Sequence, residues 1–519
     1  MEKNILQLLE KTAEKNPEKI IFGEEKIEIT YNDFVKDSKM IGSYLAKKLI
    51  DNCKNKNSLI VNKPIIIFID KTINCLKAMF GTLYSGNFYT IIDTKSPKER
   101  AKSIIETLNA SVIITDRKNK NKLDKLEIID KQTIIVLEDI SESIDDKLLE
   151  KIRNNQIDTD TMYVLFTSGS TGIPKGTVIN HRAVIAYTSW VKETFDINEK
   201  TIWGSQTPFY FSMSITDVFS TIISGATLYI IPKMYFSFPV KLFEFLNEKK
   251  INTIYWVPSA LCIIANLKAL DNADLPYLKK VLFAGEVMPV KQLNMWMDKF
   301  KNAIYANLFG PTETTDICSY YVINRKFNND ESIPIGKNCD NCNLIVVDEN
   351  NNEITPNDID KKGELLVRGS FLASGYYNNE KKTNEVFVQN PLNKSYREIV
   401  YKTGDIVKYN KYHELIYVSR KDYQIKHMGY RIELGEIEKI IYGIDGIILC
   451  ACVYDDINSK IVLYYQAEES LTKEDLAKKA SEVLLPYMRP NEYIKLDKFP
   501  YNANGKIDRK ELKKRIANI

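Results

Sequence analysis

Residues 162–176 have the sequence MYVLFTSGSTGIPKG, in which an apolar run passes directly into a segment rich in glycine, serine and threonine. The apolar run predicts a buried β-strand. Glycines let the backbone approach an anion closely with its N–H groups pointing inward, and the hydroxyls and Lys175 add further donors. The stretch therefore predicts a polyphosphate-binding loop at the end of a strand.

The loop differs from that of kinases and GTPases. Their spacing, GxxxxGK[ST], places the lysine after the last glycine, whereas here Lys175 precedes Gly176. A plain polar hairpin is the alternative, but a hairpin would not need the lysine. The loop therefore predicts another class of nucleotide-using protein.

The sequence on either side of the loop alternates short β-branched runs with helical patterns. This rhythm predicts a parallel sheet covered by helices on both faces, in two related α/β halves. After Gly336, alternating strands and turn signals predict a smaller β-rich subdomain. The predicted strands of the two halves include residues 63–70, 87–93, 110–116, 162–166, 225–232 and 278–286.

A separate module is predicted at the C-terminus. A chain of 519 residues exceeds the length of about 250–300 at which single cores stop growing. From Asp422 a helical stretch, two strands and a helix opened by Thr472 as N-cap follow one another. We expect a large N-terminal domain, residues 1–421, and a small mobile α+β lid, residues 422–519.

Composition narrows the class of function. The 72 basic and 68 acidic residues leave a net charge of +4 with both signs interspersed, which gives no indication of nucleic-acid binding. No stretch approaches about 18 apolar residues and the N-terminus lacks a signal peptide, so a cytoplasmic enzyme without membrane contact is expected. The eight scattered cysteines indicate reduced thiols. Cys339 and Cys342 form a CxxC without a second pair, so two loop thiols are favoured over a metal or redox site.

Six motifs in order give a resemblance over nearly the whole chain. They are YVLFTSGSTGIPKG (163–176), NLFGPTET (307–314), GELLVRG (363–369), YKTGD (401–405), SRKDYQIKHMGYRIELGEIE (419–438) and NANGKIDRK (502–510). The chain resembles the adenylate-forming, AMP-binding superfamily, and within it the adenylation domains of nonribosomal peptide synthetases and the freestanding D-alanine–carrier protein ligases. The resemblance implies an acid–thiol ligase that uses ATP and Mg²⁺, forms an acyl-AMP with release of pyrophosphate, and passes the acyl group to a thiol.

The resemblance assigns a nucleotide site. Asn307 and Phe309 would hold the adenine, with phenylalanine where most members have tyrosine, and Asp405 would accept both ribose hydroxyls. Arg420 enters the same site beside Ser419, where glycine is usual. The residues assigned to nucleotide binding are Thr167, Ser168, Gly169, Ser170, Thr171, Asn307, Phe309, Gly310, Asp405, Tyr417 and Arg420.

The resemblance also assigns the catalytic groups. Glu313 would bind Mg²⁺ and Thr312 would contact the α-phosphate, while Lys175 would hold the leaving phosphates. Lys506 would reach the substrate carboxylate and the bridging oxygen of the adenylate. Asp422 matches the hinge about which the lid turns, bringing residues 428–438 to a thiol tunnel for the second half-reaction.

The acid pocket departs from the family pattern. Members that activate amino acids carry an aspartate two residues before a serine, whereas this chain has FSMS at 211–214, with Ser212 in that place. Asp316 is the one charge at the aligned positions; it could pair with an amine farther along the substrate or accept a hydrogen bond from a hydroxyl. The alternative is that Asp217 or Asp316 merely caps a helix. The pocket positions are Phe211, Ser212, Met213, Thr216, Ser259, Leu282, Ala284, Gly285, Leu308, Asp316 and Ile317.

A neutral hydroxyl cannot neutralise a buried cation, so we expect a small acid without a standard α-amino group, such as a β-amino, hydroxy or aryl acid. A D-alanine or other α-amino acid–carrier protein ligase and an acyl-CoA ligase remain alternatives. The chain ends soon after Lys506, so a separate phosphopantetheinyl carrier protein, or coenzyme A, is expected as acceptor. A phosphotransferase would need neither Lys506 nor Asp405, and a non-catalytic nucleotide-binding protein would often lack Lys506 or Glu313, both of which this chain retains.

Overall fold

A computed structural model of the chain describes residues 2–51, 59–127, 132–168, 174–328, 331–421, 424–501 and 507–516. The chain separates into two compact units, each treated by itself below. The first contains residues 1–94, 105–165 and 176–421, and the second contains residues 95–104, 166–175 and 422–519.

The helices are mostly short and two to four turns long. The α-helices are α1 (Ile5–Lys15), α2 (Tyr31–Asp51), α3 (Ile73–Tyr84), α4 (Lys98–Leu108), α5 (Arg117–Lys125), α6 (Asp146–Asn155), α7 (His181–Thr194), α8 (Ser214–Ser224), α9 (Pro239–Glu248), α10 (Pro258–Asn266), α11 (Val290–Lys299), α12 (Glu380–Val386), α13 (Leu434–Tyr442), α14 (Lys473–Val483) and α15 (Arg509–Ile516). Short 3₁₀ segments lie at Leu137–Asp139, Lys233–Ser237, Ala269–Asn272, Thr312–Thr314 and Pro486–Met488.

The strands fall mainly between these helices. They are β1 (Ile20–Gly23), β2 (Glu28–Thr30), β3 (Pro64–Phe68), β4 (Phe88–Ile91), β5 (Val112–Thr115), β6 (Thr133–Val136), β7 (Thr161–Thr167), β8 (Lys175–Asn180), β9 (Ile202–Ser205), β10 (Thr227–Ile230), β11 (Thr253–Trp256), β12 (Lys280–Phe283), β13 (Ile304–Phe309), β14 (Ser319–Ile323), β15 (Lys337–Asn338), β16 (Cys342–Val347), β17 (Lys362–Gly369), β18 (Gly375–Tyr376), β19 (Phe387–Gln389), β20 (Ile399–Tyr409), β21 (Leu415–Arg420), β22 (Gln424–His427), β23 (Tyr430–Glu433), β24 (Ile447–Asp455), β25 (Lys460–Ala467) and β26 (Glu492–Lys495).

Two large sheets confirm the predicted α/β architecture. One has the order β15-β14-β13-β12-β11-β9-β10-β1-β2, with the run from β13 to β1 parallel. The other has the order β18-β8-β7-β4-β3-β5-β6, in which β7, β4, β3, β5 and β6 pair in parallel. Their central strands, such as Pro64–Phe68, are buried along their whole length. This pattern is typical of parallel sheets covered on both faces.

The predicted β-rich subdomain is also present. An antiparallel sheet has the order β16-β17-β20-β19, and β21 pairs with β20. The pairing of β20 with β21 places Asp405 directly opposite Arg420. The sheet therefore sets two residues of the assigned nucleotide site side by side.

The second unit contains an α+β module. Strands β24, β25 and β26 form its sheet, antiparallel between β24 and β25 and parallel between β25 and β26. Helix α14 begins after Thr472, whose side chain accepts a hydrogen bond from the Asp475 amide, which confirms the predicted N-cap. The same unit includes residues 95–104 and 166–175. The division into domains at residue 421 stays a prediction.

Within the described ranges, no helix combines the length and the apolar character needed to cross a bilayer.

Candidate active site

The pocket positions follow the carboxyl ends of four neighbouring strands. Strands β9, β11, β12 and β13 are adjacent and parallel in the first sheet. Parallel strands end at the same edge, and in open α/β sheets ligands bind in the crevice beyond that edge. The residues that follow or close these strands are Phe211 and Ser212 after β9, Ser259 after β11, Leu282, Ala284 and Gly285 at the end of β12, and Leu308 in β13.

The end of β13 carries the assigned adenine residues. The Asn307 side-chain amide donates to the carbonyl oxygen of Pro334 at 2.8 Å. The ring of Phe309 lies 5.8 Å from the ring of Tyr417, with an interplanar angle of 42°. The structure therefore groups an amide and two aromatic rings in the first unit, as base recognition requires.

Gly310 allows the following loop to fold back on itself. A Cβ atom at Gly310 would lie 2.4 Å from the carbonyl oxygen of Asp316, closer than real Cβ atoms approach backbone. The amide of Cys318 donates to the Phe309 carbonyl oxygen at 2.9 Å and closes the loop. Glycine is needed here because another part of the backbone passes where a side chain would stand.

Glu313 is completely buried within this loop. The Tyr376 hydroxyl donates to its Oε1 at 2.6 Å, and the Ala373 amide donates to its carbonyl oxygen at 2.8 Å. Tyr376 was not identified from the sequence, because it lies 63 residues away on β18 and belongs to no motif. Among the described residues no group of three or more His, Cys, Asp or Glu side chains could hold a metal. A single carboxylate still fits Mg²⁺, which is commonly bound by one or two carboxylates together with substrate phosphates.

Asp405 is paired with a cation. Its carboxylate is almost fully buried, and Arg420 Nη1 donates to Asp405 Oδ1 at 3.0 Å and to the Thr403 carbonyl oxygen at 2.6 Å. The Asp405 amide donates to Thr403 Oγ1 at 2.9 Å. Gly404 has a positive φ of 74°, and a Cβ there would lie 2.8 Å from the Arg420 guanidinium. The glycine therefore makes room for the arginine beside its aspartate.

The phosphate-loop residues that the structure describes lie in the second unit. Ser168 Oγ donates to the Arg431 carbonyl oxygen at 2.6 Å and accepts from the Glu433 amide at 3.1 Å. Lys175 Nζ lies 3.7 Å from Glu433 Oε1, with both side chains mostly buried. The Thr167 hydroxyl is buried and has no hydrogen-bond partner among the described residues. The assigned residues that lie outside the described ranges are Gly169, Ser170, Thr171, Asp422 and Lys506.

Asp316 lies among hydroxyl groups. Its Oδ2 is 2.7 Å from Thr216 Oγ1, 3.0 Å from the Tyr255 hydroxyl and 3.1 Å from the Tyr187 hydroxyl. Burial raises the pKa of Asp316 to about 6, while hydrogen bonds from these hydroxyls and from Ser212 lower it. The helix-capping alternative does not apply, since in the described part of the chain its partners are side-chain hydroxyls rather than helical amides. The two tyrosines were not identified from the sequence.

Ser212 is in contact with Thr312. Its hydroxyl oxygen is 3.3 Å from Thr312 Oγ1, and it stands four residues before Thr216, which hydrogen-bonds to Asp316. The neighbouring Met213 precedes α8 and is buried. Ile317, next to Asp316, is buried as well. The start of α8 thus connects Ser212 to Thr216, which holds Asp316, the other unusual polar position of the assigned pocket.

Lys71, close to the buried Asp217, was not identified from the sequence. Lys71 Nζ donates to the Ser205 carbonyl oxygen at 2.9 Å, and burial lowers the pKa of Lys71 to about 7. Burial raises the pKa of Asp217 to about 6, and the nearby Lys71 opposes that rise. Asp217 Oδ1 is buried without a hydrogen-bond partner among the described residues. Asp217 follows Thr216, a partner of Asp316, on α8.

The CxxC cysteines belong to no candidate metal site in the part of the chain that the structure describes. Cys339 and Cys342 are buried, with weak S–H hydrogen bonds to the carbonyl oxygens of Ile317 and Cys318. Burial raises the pKa of both thiols, that of Cys342 to about 12. Both are therefore protonated, which fits the expectation of structural thiols.

The chain is similar to known proteins along nearly its whole length. Residues 9–377 match the family described as AMP-binding enzyme. The chain belongs to this family. ZmaJ, a zwittermicin A synthase of Bacillus cereus, is 30% identical over 98% of this chain and 94% of its own length. Gramicidin S synthase 1 of Brevibacillus brevis is also 30% identical over 98% of this chain, which spans only 44% of that protein.

The fold is shared with solved adenylation domains. The adenylation domain AlmE of Vibrio cholerae, solved with glycyl-adenosine-5′-phosphate, superposes with a TM-score of 0.84 over 100% of this chain and 98% of AlmE, at 20% identity. The family and the relatives confirm the predicted enzyme class. The chain is an adenylation domain, an adenylate-forming acid–thiol ligase that uses ATP.

Proposed function

We propose that this adenylation domain activates a small carboxylic acid without a standard α-amino group and then transfers it to the phosphopantetheine thiol of a separate carrier protein. The supporting observation is the contact between Ser212 and Thr312, whose hydroxyl oxygens are 3.3 Å apart. Where amino-acid-activating members place a carboxylate, this chain places a neutral hydroxyl beside the residue assigned to the α-phosphate. A hydroxyl cannot offset the cost of burying an ammonium group.

In the first half-reaction, the acid carboxylate attacks the α-phosphorus and pyrophosphate leaves. Because the two reacting partners are both anionic, positioning and electrostatic stabilisation carry the catalysis. Asn307, Phe309 and Tyr417 would hold the base, and Asp405 would hold the ribose. Glu313 would hold Mg²⁺, which would neutralise charge on the phosphates when bound.

In the second half-reaction, a thiol attacks the acyl-AMP and AMP leaves. Lys506 is proposed to serve the first step only, so it must enter and leave the site with the lid about Asp422. The carrier protein as acceptor, in place of coenzyme A, is proposed because the NANGKIDRK motif resembles the carrier-loading branch of the family. A cytoplasmic location belongs to the same proposal.

Acid-dependent ATP–pyrophosphate exchange tests this function. A panel of α-amino, β-amino, hydroxy, aryl and aliphatic acids is assayed with the wild type, and exchange is expected with an acid outside the α-amino group. Lys506→Ala is expected to lower exchange by about 10²- to 10³-fold while ATP binding stays measurable. Lys510→Ala is the matched control, because Lys510 is exposed on α15.

Two results would overturn the proposal. Exchange with α-amino acids alone would show that Ser212 has been misinterpreted, and unchanged exchange in Lys506→Ala would refute the role of that lysine. Transfer of the activated acid to a phosphopantetheinylated carrier protein, followed by mass spectrometry against coenzyme A as competitor, tests the acceptor.

A further inference from the structure

Asp316 is a buried carboxylate surrounded by neutral donors. It is 2% exposed, and the groups that hydrogen-bond to it within the described ranges are hydroxyls. A carboxylate has about four acceptor sites on its two oxygens. Three hydroxyls converge on Oδ2, so acceptor capacity remains on Oδ1. Buried charges in proteins are normally paired with an opposite charge. Within the described ranges, no basic side chain forms an ion pair with Asp316.

The backbone is held in an unusual conformation to place this side chain. Thr315 has φ 68° and ψ −57°, and the Asp316 amide donates to the Thr314 carbonyl oxygen at 2.8 Å. These values define the rare γ-turn with positive φ, which is strained for a β-branched residue. The Thr315 hydroxyl donates to the Phe371 carbonyl oxygen at 2.8 Å and holds the turn. Such strain is concentrated at functional sites.

The position of Asp316 relative to the reacting end of the acid follows from two contacts. Thr312, assigned to the α-phosphate, is 3.3 Å from Ser212, and Thr216, four residues beyond Ser212, is 2.7 Å from Asp316. Ser212 stands where the family places the partner of an α-ammonium group. Asp316 therefore lies farther from the reacting carboxylate than that partner.

We propose that Asp316 binds an ammonium group on the β-carbon of the substrate, so that the acid activated by this domain is a small β-amino acid. The inference rests on the proposed function and narrows its substrate class. An ammonium group one carbon farther from the substrate carboxylate matches Asp316, which lies farther from that substrate carboxylate than Ser212 does. A hydroxy acid would donate a hydrogen bond but would leave the buried charge of Asp316 without a cation.

The remaining pocket positions suit a short aliphatic body. Leu282, Ala284, Leu308 and Ile317 are buried and apolar, and they come from β12, β13 and the loop that carries Asp316. The methylene groups of a short β-amino acid would be stabilised by leaving water for these apolar side chains. We therefore expect 3-aminobutyrate and β-alanine to be better substrates than acids with further charges.

The experiment is acid-dependent pyrophosphate exchange with β-alanine, 3-aminobutyrate, alanine, 3-hydroxybutyrate, butyrate and benzoate. For the wild type, kcat/KM is expected to be highest with a β-amino acid. Asp316→Asn is expected to lower kcat/KM for β-amino acids by about 10- to 100-fold, the cost of losing a charge-assisted hydrogen bond, with an unchanged KM for ATP. Asp274→Asn, at an exposed aspartate, is the charge-matched control and is expected to behave as wild type.

A double variant tests whether Asp316→Asn loses activity only because it is unfolded. Ser212→Asp combined with Asp316→Asn returns the carboxylate to the position nearer the reacting end, and this double variant is expected to prefer alanine over β-alanine. A purely structural Asp316 would not produce this gain. Binding of ATP, measured by calorimetry, reports whether each variant is folded.

The outcomes separate this inference from the proposed function. Exchange with hydroxy or aryl acids alone would overturn the role of Asp316 and leave the proposed function standing. An equal loss for every acid in Asp316→Asn, with no gain in the double variant, would also overturn it. Exchange with no acid of any class would refute the proposed function itself.

Discussion

Asp405 and Asp316 are both buried aspartates of the first unit, but they differ in their partners. Asp405 lies 3.0 Å from the Arg420 guanidinium, whereas Asp316 receives its hydrogen bonds from the hydroxyls of threonine and tyrosine side chains. Burial raises the pKa of Asp316 to about 6. Among the described residues, Asp405, assigned to the ribose, thus has a cationic partner within the protein. Asp316, assigned to the acid pocket, is supported by neutral hydrogen-bond donors.

The difference fits the ligands that each carboxylate is proposed to meet. A ribose presents two neutral hydroxyls, so Asp405 can keep Arg420 as its permanent counter-ion. A β-amino acid brings its own positive charge, and a second cation beside Asp316 would repel it. Neutral hydrogen-bond donors stabilise the Asp316 carboxylate without competing with an ammonium group for its charge.

The largest expected effect comes from breaking the ion pair between Asp405 and Arg420. Asp405→Asn removes the carboxylate that pairs with Arg420 and replaces one of the two oxygens assigned to the ribose hydroxyls, so KM for ATP is expected to rise about 100-fold. Unfolding in urea is expected to show a loss of about 3–5 kcal/mol, because removing one partner of a buried ion pair is strongly destabilising.

The matched control for that prediction is Asp360→Asn. Asp360 pairs with Lys408 of the same sheet at 2.7 Å, but its side chain is 67% exposed, and exposed pairs are worth about 0–1 kcal/mol. Equal effects in Asp360→Asn and Asp405→Asn would show that burial does not distinguish the two pairs.

A pH profile gives the next largest effect and concerns the acid side. Asp316, with its pKa raised to about 6, must be ionised to hold an ammonium group, so affinity for the acid is expected above that pH and lost below it. KM for a β-amino acid is expected to rise about tenfold between pH 7.5 and pH 5, because the Asp316 carboxyl group is mostly protonated one pH unit below its pKa. KM for ATP in the same assays serves as the internal reference.

Other groups near Asp316 titrate in the same range and must be separated from it. Asp217 has a pKa raised to about 6 by burial, and Lys71 has a pKa lowered to about 7. Tyr187, Thr216 and Tyr255, which also face the carboxylate, stay protonated throughout. Only the part of the inflection that disappears in Asp316→Asn belongs to Asp316, and an unaltered profile in that variant would contradict the assignment.

The smallest effect is expected from restoring the family's usual aromatic residue. Phe309→Tyr adds a hydroxyl but keeps the ring beside Tyr417, so KM for ATP is expected to change by no more than about threefold, or about 0.6 kcal/mol. A change above tenfold would mean that the missing hydroxyl alters the nucleotide site of this chain.

Local patterns were sufficient for the elements of the fold. The β-branched run at 63–70 predicted the strand Pro64–Phe68, and the polar stretch after Leu471 predicted a helix capped by Thr472. Both depend on neighbouring residues, because side-chain periodicity and end-capping act over a few positions. The order of strands in the two large sheets was beyond such reasoning, since it depends on pairings between distant segments.

The candidate site shows the same division. Motifs were sufficient to propose roles for Asn307, Glu313 and Asp405 and to detect the departure at Ser212, because each belongs to a contiguous stretch of recognisable sequence; those roles stay predictions. They could not name Tyr376, which donates to Glu313, or the pair of Lys71 and Asp217. These partners come from separate strands and helices, and no local pattern marks them.

The amino-acid sequence by itself determined that this chain is an adenylate-forming ligase with serine where an aspartate is usual, because both conclusions rest on which residue occupies which place in a short motif. Only the tertiary structure decided the surroundings of Asp316, one of the positions assigned to the acid pocket. It placed Asp316 against Tyr187, Thr216 and Tyr255 from three different elements. Hydrogen bonds and burial depend on distance in space, so the environment of a charge appears only when the chain is folded.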